Sequence, residues 1–153
     1  MQGVYTLIVD VTNRLNLAAG GLGDLTLDKG PYVYVGSAMG TGSTSLENRL
    51  ARHFSDEKTV HWHIDYLLNK DAEKKSAIWA ETEKSRECDV ALRIKMSNHF
   101  VNGPAGFGAS DCKKKCGTHL FRQISEVSTS TILEDIFEQL GLTPHIGTKD
   151  DFL

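Results

Sequence analysis

The sequence predicts a single domain that mixes strands and helices, on three observations. The chain has 153 residues, of which 40% are apolar, and this suffices for one hydrophobic core. Residues 4–11 and 32–36 are extended runs in which successive side chains point to opposite faces, as in strands. Several later segments repeat their apolar residues every three or four positions, as on one face of a helix.

The first strand is predicted to lead into a hairpin, a second strand and a helix. Residues 12–30 are rich in glycine, and leucines alternate on both sides of the glycine pair at 20–21, which favours a small hairpin. The second strand is followed by a glycine-rich loop. Thr44 and Glu47 have the spacing of a capping box, which predicts that a helix begins at Ser45.

The second half of the chain is predicted to alternate between helices and short strands. The predicted elements are a helix at 61–68, a strand at 77–81, a helix from Ser85, a strand at 119–124 and a helix at 132–140. The last helix is expected to end at Gly141, because glycine is the preferred residue just after a helix.

The net charge of −3 is unevenly distributed along the chain. Residues 1–124 hold 16 Lys and Arg against 14 Asp and Glu, whereas residues 125–153 hold 1 against 6. This division predicts a mildly basic domain at 1–124 and an acidic helical extension at 125–153 that packs on the same domain. A nucleic-acid partner is compatible with that balance.

We expect a cytoplasmic protein with no membrane partner. No apolar run approaches the length of a membrane span. The first residues lead directly into the first predicted strand, without the basic and apolar pattern of a signal peptide. The oligomeric state is not indicated by the sequence.

Polar side chains are predicted to converge near the glycine-rich loop. Arg49 and His53 lie four residues apart on one face of the predicted helix, and Tyr34 lies on the preceding strand. Together they suit the binding of a phosphate. Glu87 shares a helix face with apolar residues, where a carboxylate is costly without a cation or donors, so it is a candidate metal ligand. The alternative for each residue is structural: packing, a surface ion pair or an interaction with the helix dipole.

These residues resemble the motifs of the GIY-YIG nuclease family. The chain carries GVY at 3–5 and YVG at 34–36, followed by Arg49, His53 and Glu87. It is similar above all to the compact branch called Uri endonucleases, whose traits here are HWHIDYLL at 61–68 and GFGASDC at 106–112 with Cys116 and HLF at 119–121. The resemblance covers residues 3–122.

The resemblance implies an α+β fold, with a small antiparallel sheet of about three strands flanked by helices. It also implies phosphodiester hydrolysis with Mg²⁺ or Mn²⁺. Tyr5 would act as general base on water, Tyr34 would position the water or the phosphate, Arg49 would neutralise the phosphate, and Glu87 would bind the ion. Because a phenol has an ordinary pKa of about 10, a neighbouring cation is expected to lower the pKa of Tyr5. His53 is the candidate for that role or for a phosphate contact.

Further residues are expected to contact the nucleic acid. They lie after the second strand, on the first helix and in the later loops: Gly36, Ser37, Arg52, His61, Lys113, Lys114 and Lys115. A run of lysines can follow a phosphate backbone, and the alternative is a solvated loop. A metal site formed by His61, His63 and Asp65 is not expected, because a helix turns His63 away from the other two.

The three cysteines are expected to be reduced and free of metal. The alternative is a structural zinc site at Cys112, Cys116 and His119, with Cys88 as a fourth ligand. Since adjacent residues on a helix point about 100° apart, Cys88 should lie outside a metal site at Glu87 and face the core or that loop.

The sequence therefore predicts a divalent-metal-dependent endonuclease that acts on DNA or another structured nucleic acid. Two alternatives stay open. One is a nucleic-acid-binding module of the same fold with little or no cleavage activity, and the other is a metal-stabilised protein-interaction domain.

Overall fold

A six-stranded antiparallel sheet forms the centre of this computed structural model. The structure describes residues 1–55, 63–70, 72–109 and 116–153, and of Ser43 the backbone alone. The described strands are β1 (Gly3–Val11), β2 (Leu15–Ala18), β3 (Asp24–Leu27), β4 (Gly30–Ala38), β5 (Ala72–Glu81), β6 (Phe100–Asn102), β7 (Leu120–Gln123) and β8 (His145–Gly147). The described helices are α1 (Leu46–Phe54), α2 (His63–Leu68), α3 (Glu87–Met96), α4 (Thr129–Gln139) and α5 (Lys149–Phe152). None of these helices has the length and apolarity that crossing a membrane requires.

The strand order in the main sheet is β6-β7-β4-β1-β5-β8, and β2 pairs with β3 in a separate hairpin. The α+β class and the antiparallel pairing are confirmed, but the prediction of about three strands is wrong. The three long strands β4, β1 and β5 form the centre. β7 falls in the predicted strand at 119–124, whereas β6 and β8 have 3 residues each. Strands that short show too little alternation to be recognised from sequence, and they form because a longer neighbour offers unpaired backbone groups.

Two hydrophobic cores lie on opposite faces of the sheet. Tyr5 and Leu7 point to the first face, where α1, α2 and α5 contribute Leu46, Leu50, Phe54, Ile64, Leu67, Leu68 and Phe152. Val4 and Ile8 point to the second face, where α3 and α4 contribute Val90, Ala91, Ile94, Ile132, Leu133, Ile136 and Phe137. The alternation along β1 thus places helices on both sides of the sheet.

The predicted start of α1 is wrong by one residue. Ser45, rather than Thr44, is the N-cap, and its Oγ accepts a hydrogen bond from the N–H of Asn48 at 3.3 Å. Thr44 instead donates its hydroxyl to the carbonyl of Thr41 in the preceding 3-10 turn. Similarly, α3 begins at Glu87 and not at Ser85.

The C-terminal segment is part of the same packed structure. Four side chains of α4 are buried in the second core. After Gly141, which has a left-handed φ of 77°, β8 pairs with β5 and extends the sheet. In α5, Phe152 stacks on Phe54 with ring centroids 5.6 Å apart. Removal of residues 125–153 would therefore expose the core as well as remove acidic charge.

Candidate active site

Tyr5 and Tyr34 lie side by side on the first face of the sheet. In the β1–β4 pair, Tyr5 is opposite Gly36 and Leu7 is opposite Tyr34. Residues two apart on a strand share a face, so the two tyrosines are diagonal neighbours. Both are buried, with 2% and 6% of their surface exposed.

Two glycines let these tyrosines lie against bare backbone. A Cβ atom at Gly36 would overlap the phenol oxygen of Tyr5. A Cβ atom at Gly108 would lie 2.7 Å from Cε1 of Tyr34, and Gly108 has a left-handed φ of 67°. A side chain at either position would displace a tyrosine.

His53 joins the tyrosine pair from α1. Its Nε2 lies 2.7 Å from the hydroxyl oxygen of Tyr5, and the ring is 1% exposed. The ring also meets Tyr34 edge-on, with centroids 6.3 Å apart. With the phenol as donor, Nε2 is the accepting nitrogen, and the hydrogen bond offers a path for a proton from Tyr5 to His53.

Arg49 lies one helical turn before His53, near the end of β4. Its Nη1 donates a hydrogen bond of 2.8 Å to the carbonyl of Ser37. Both residues are half-buried. The contact holds the planar guanidinium at the edge of the buried tyrosine pair, where the group suits two phosphate oxygens.

Glu87 approaches the same strand end from the other side of the sheet. It is the first residue of α3, which packs on the second face. Its Oε2 accepts a hydrogen bond of 3.3 Å from Oγ of Ser37, and its Oε1 lies 3.2 Å from Nδ1 of His119. β7 pairs with β4 only as far as Tyr34, so this stretch of β4 is an edge that side chains from both faces can reach.

Burial raises the pKa of both tyrosines above the ordinary value. For Tyr5, desolvation is the largest cause, followed by Tyr34, while Arg49 lowers the pKa and Glu87 raises it. For Tyr34, desolvation is followed by the charge of Glu87, which raises the pKa, and by Arg49, which lowers it. The lowered pKa expected for Tyr5 is therefore wrong in direction, because loss of water outweighs the neighbouring guanidinium. The charges of Arg49 and Glu87 nevertheless act on both phenols.

Glu87 fits a divalent ion as one ligand among several. Its side chain is 25% exposed, so the carboxylate is accessible. Mg²⁺ usually takes one or two carboxylates and completes its shell with water and phosphate oxygens. The residues present therefore suit an ion that binds together with a phosphate substrate.

Arg52, an expected nucleic-acid contact, forms a bidentate ion pair in the structure. Its Nη1 and Nη2 donate to Oδ1 and Oδ2 of Asp65 at 2.9 and 2.8 Å, and the Asp65 side chain is fully buried. We therefore leave Arg52 out of the proposed phosphate site. His63 is likewise engaged, because its Nδ1 accepts a hydrogen bond of 2.9 Å from the N–H of Gly108. His63 and Asp65 thus contact different partners, Gly108 and Arg52.

Several expected site residues lie outside the described residues: His61, Cys112, Lys113, Lys114 and Lys115. Gly36 and Ser37 are at the strand end described above. Of the ligands in the alternative zinc site, Cys116 and His119 lie close to Cys88, and the ligand atoms of these three side chains are within 4.8 Å of one another. Cys88 thus faces the later loop, one of the two directions expected for it.

The contact between Glu87 and His119 and the pair of Arg52 with Asp65 were not predicted. Each joins residues from separate elements, 32 and 13 positions apart in the chain. No periodicity relates them. Asp65 lies among the apolar residues of its predicted helix, and a carboxylate buried there needs a cation partner. This was the one sequence signal for the ion pair.

The chain belongs to the family described as Domain of unknown function DUF123, whose model matches residues 4–142. The matched range includes β1 except for Gly3, the tyrosines, α1, Glu87, the cysteine and histidine cluster and α4. Neither a curated protein nor a solved structure matches the chain.

Proposed function

We propose that this member of the family is a divalent-metal-dependent endonuclease that hydrolyses phosphodiester bonds in DNA or a structured nucleic acid. The observation that carries the proposal is the convergence of two tyrosines, an arginine, a histidine and a carboxylate at one strand end. The GVY and YVG motifs and their similarity to GIY-YIG nucleases, in particular the Uri branch, support it.

In the proposed reaction, Tyr5 and His53 act together as the base. A proton passes from the attacking water to the phenol oxygen as the phenol proton passes to Nε2 of His53 along the 2.7 Å hydrogen bond. The water oxygen bonds to phosphorus, the bond to the leaving 3′ oxygen breaks, and solvent protonates that oxygen. Tyr5 then never has to exist as a buried phenolate, which its raised pKa disfavours.

Arg49 and Ser37 would hold the phosphate, and Glu87 would hold the ion. The guanidinium stabilises negative charge that grows on the phosphate oxygens, and Tyr34 orients the water or the phosphate. Mg²⁺ or Mn²⁺ held by Glu87 would supply Lewis-acid stabilisation of the negative charge that develops in the reaction. The hydrogen bonds of Glu87 to Ser37 and His119 fix the direction of its carboxylate.

The test is cleavage of supercoiled plasmid, flap DNA and structured RNA, each with Mg²⁺, Mn²⁺ or EDTA. We expect nicking that requires the ion, and a loss of about 10²–10³ in rate for Arg49→Ala and for Glu87→Gln. Arg14→Ala and Glu73→Gln are matched controls at exposed positions away from the site. If both site variants cut as well as the parent, the activity does not come from this site.

A nucleic-acid-binding module of the same fold is the second candidate. The observation that favours it is the burial of Tyr5 and Tyr34, which keeps both phenols neutral and restricts access of water. This candidate requires binding to the same substrates without ion-dependent cleavage. Binding measured in EDTA, together with the cleavage assay, separates the two.

A further inference from the structure

Two cysteines and a histidine that could bind a metal ion lie next to Glu87. Cys88 is on α3, and Cys116 and His119 precede β7, 28 and 31 residues later. The ligand atoms of the three side chains lie within 4.8 Å of one another, and among the described residues this set alone groups three such ligands. Two thiols and an imidazole are the donors that zinc prefers.

One distance between ligand atoms in this cluster is close to that around a tetrahedral ion. Sγ of Cys88 lies 4.0 Å from Nε2 of His119. Bond lengths of about 2.3 Å to sulfur and 2.0–2.1 Å to nitrogen place two such ligands about 3.6 Å apart around one zinc ion. All three ligand atoms lie within 4.8 Å of one another, so shifts of about 1 Å or less, shared between the side chains, would bring them to the distances of a zinc site.

The segment that carries Cys116 and His119 is held firmly. The N–H of His119 donates to the carbonyl of Phe107 at 2.8 Å, and the carbonyl of His119 accepts from the N–H of Val35 at 2.9 Å. Gly117 has a left-handed φ of 82°, which turns the chain between the two ligands. Cys116 and His119 are buried, and Cys88 is partly exposed. The cluster is thus preorganised and accessible from the side of Cys88.

The hydrogen bond to Glu87 orients His119 for metal binding. A carboxylate only accepts, so Nδ1 of His119 carries the proton in the 3.2 Å contact with Oε1 of Glu87. Nε2 then presents its lone pair toward Cys88. Metal-bound histidines commonly have such a carboxylate partner on the second nitrogen.

We propose that Cys88, Cys116 and His119 bind a zinc ion, with Glu87 as the hydrogen-bonded partner of the histidine ligand. Two thiolates, a neutral imidazole and Zn²⁺ have no net charge, which suits a site with two buried ligands. One position of the tetrahedron is left for water or a further donor. If the proposed nuclease function holds, the ion also fixes Glu87 through His119 and so positions the carboxylate next to Ser37.

The first experiment measures the metal itself, in the absence of nucleic acid. The full chain is stripped with a chelator under reducing conditions and titrated with Zn²⁺ and Co²⁺. We expect about one equivalent of tightly bound zinc, and a cobalt spectrum with thiolate charge-transfer bands and the intense visible bands of a tetrahedral ion. Zinc that fails to bind, or a cobalt spectrum without thiolate bands, would overturn the proposal whatever the result of the cleavage assay.

Variants test which side chains hold the ion. Cys88→Ser, at a partly exposed position, should weaken zinc binding by at least about 100-fold, and His119→Gln should do the same. Glu87→Gln should weaken it by about 10–100-fold, as expected for a partner of a ligand. His145→Gln, at an exposed position, is the control. A folded Cys88→Ser or His119→Gln protein that binds zinc like the parent would assign the metal to other residues and refute this site.

Discussion

The phenol of Tyr5 and the imidazole of His53 are 48 residues apart in the chain and share a 2.7 Å hydrogen bond inside the first core. The bond joins the central strand β1 to the buried face of α1. It gives a buried tyrosine whose pKa is raised by burial an acceptor for its proton, and the proposed reaction uses that acceptor.

Tyr5→Phe removes the proposed proton path and keeps the aromatic ring. We expect cleavage to fall by about 10²–10³. The free energy of unfolding should fall by only about 0.5–1.5 kcal/mol, the net value of one hydrogen bond. Plasmid nicking and urea unfolding measure the two effects. Tyr32→Phe is the matched control, because its hydroxyl donates to the carbonyl of Asp28. Parent-like cleavage by Tyr5→Phe would contradict the relay.

The raised pKa of Tyr5 and Tyr34 predicts a loss of stability at alkaline pH. Below pH 10, both the folded and unfolded states keep these phenols protonated, so neither group makes stability depend on pH. Above the ordinary value of 10.0, the unfolded state ionises first and binds fewer protons. The free energy of unfolding should then fall by about 1.4 kcal/mol per pH unit for each tyrosine, until the folded phenol ionises. Urea unfolding at a series of pH values should give a shallower fall for Tyr5→Phe, and equal slopes would contradict this assignment.

Gly36→Ala should displace Tyr5, which packs against the glycine of the YVG motif. The added Cβ would overlap the Tyr5 hydroxyl, so the ring must move away from His53. We expect a loss of about 1–3 kcal/mol in stability and a fall in cleavage. Gly21→Ala is the control, since a Cβ there meets nothing within 4 Å. Equal unfolding midpoints for the two variants would show that the overlap is relieved without cost.

Arg52→Ala should destabilise the fold by leaving the fully buried carboxylate of Asp65 without its bidentate partner. We expect a loss of about 3–5 kcal/mol, and a smaller loss when Asp65→Asn is added, because the buried negative charge is then gone. Arg14→Ala removes an exposed pair with Asp28 and should cost less than about 1 kcal/mol. Urea unfolding of Arg52→Ala, of the double variant and of Arg14→Ala gives the free energies of unfolding to be compared. A double variant that is no more stable than Arg52→Ala would contradict the explanation.

Neutral substitutions at exposed acids of the C-terminal segment should strengthen non-specific binding of nucleic acid at low salt. Glu126→Gln, Glu138→Gln and Asp150→Asn remove negative charge without touching the buried side chains of α4. We expect a several-fold gain in affinity that disappears as salt screens the repulsion. Fluorescence anisotropy with a labelled duplex measures it, and unchanged affinity at low salt would contradict it.

Much of the local structure could be predicted from the amino-acid sequence. The alternation of residues 4–11, the glycine-rich loop and the apolar stripe of α1 lead to β1, the end of β4 and the buried side of α1. The same patterns placed Tyr34, Arg49 and His53 in one region, and the resemblance to GIY-YIG nucleases added Tyr5. The short strands and the exact first residues of the helices could not be predicted, because both depend on which neighbouring groups are available for hydrogen bonds.

The sequence by itself determined which residues share a face within one element, because the repeat of a strand or helix fixes the directions of its side chains. Only the tertiary structure decided that Glu87 reaches Ser37 from the opposite face, that His119 meets Glu87, and that Arg52 neutralises Asp65. It also decided the direction of the pKa shift of Tyr5, since the degree of burial is set by the packing of elements far apart in the chain.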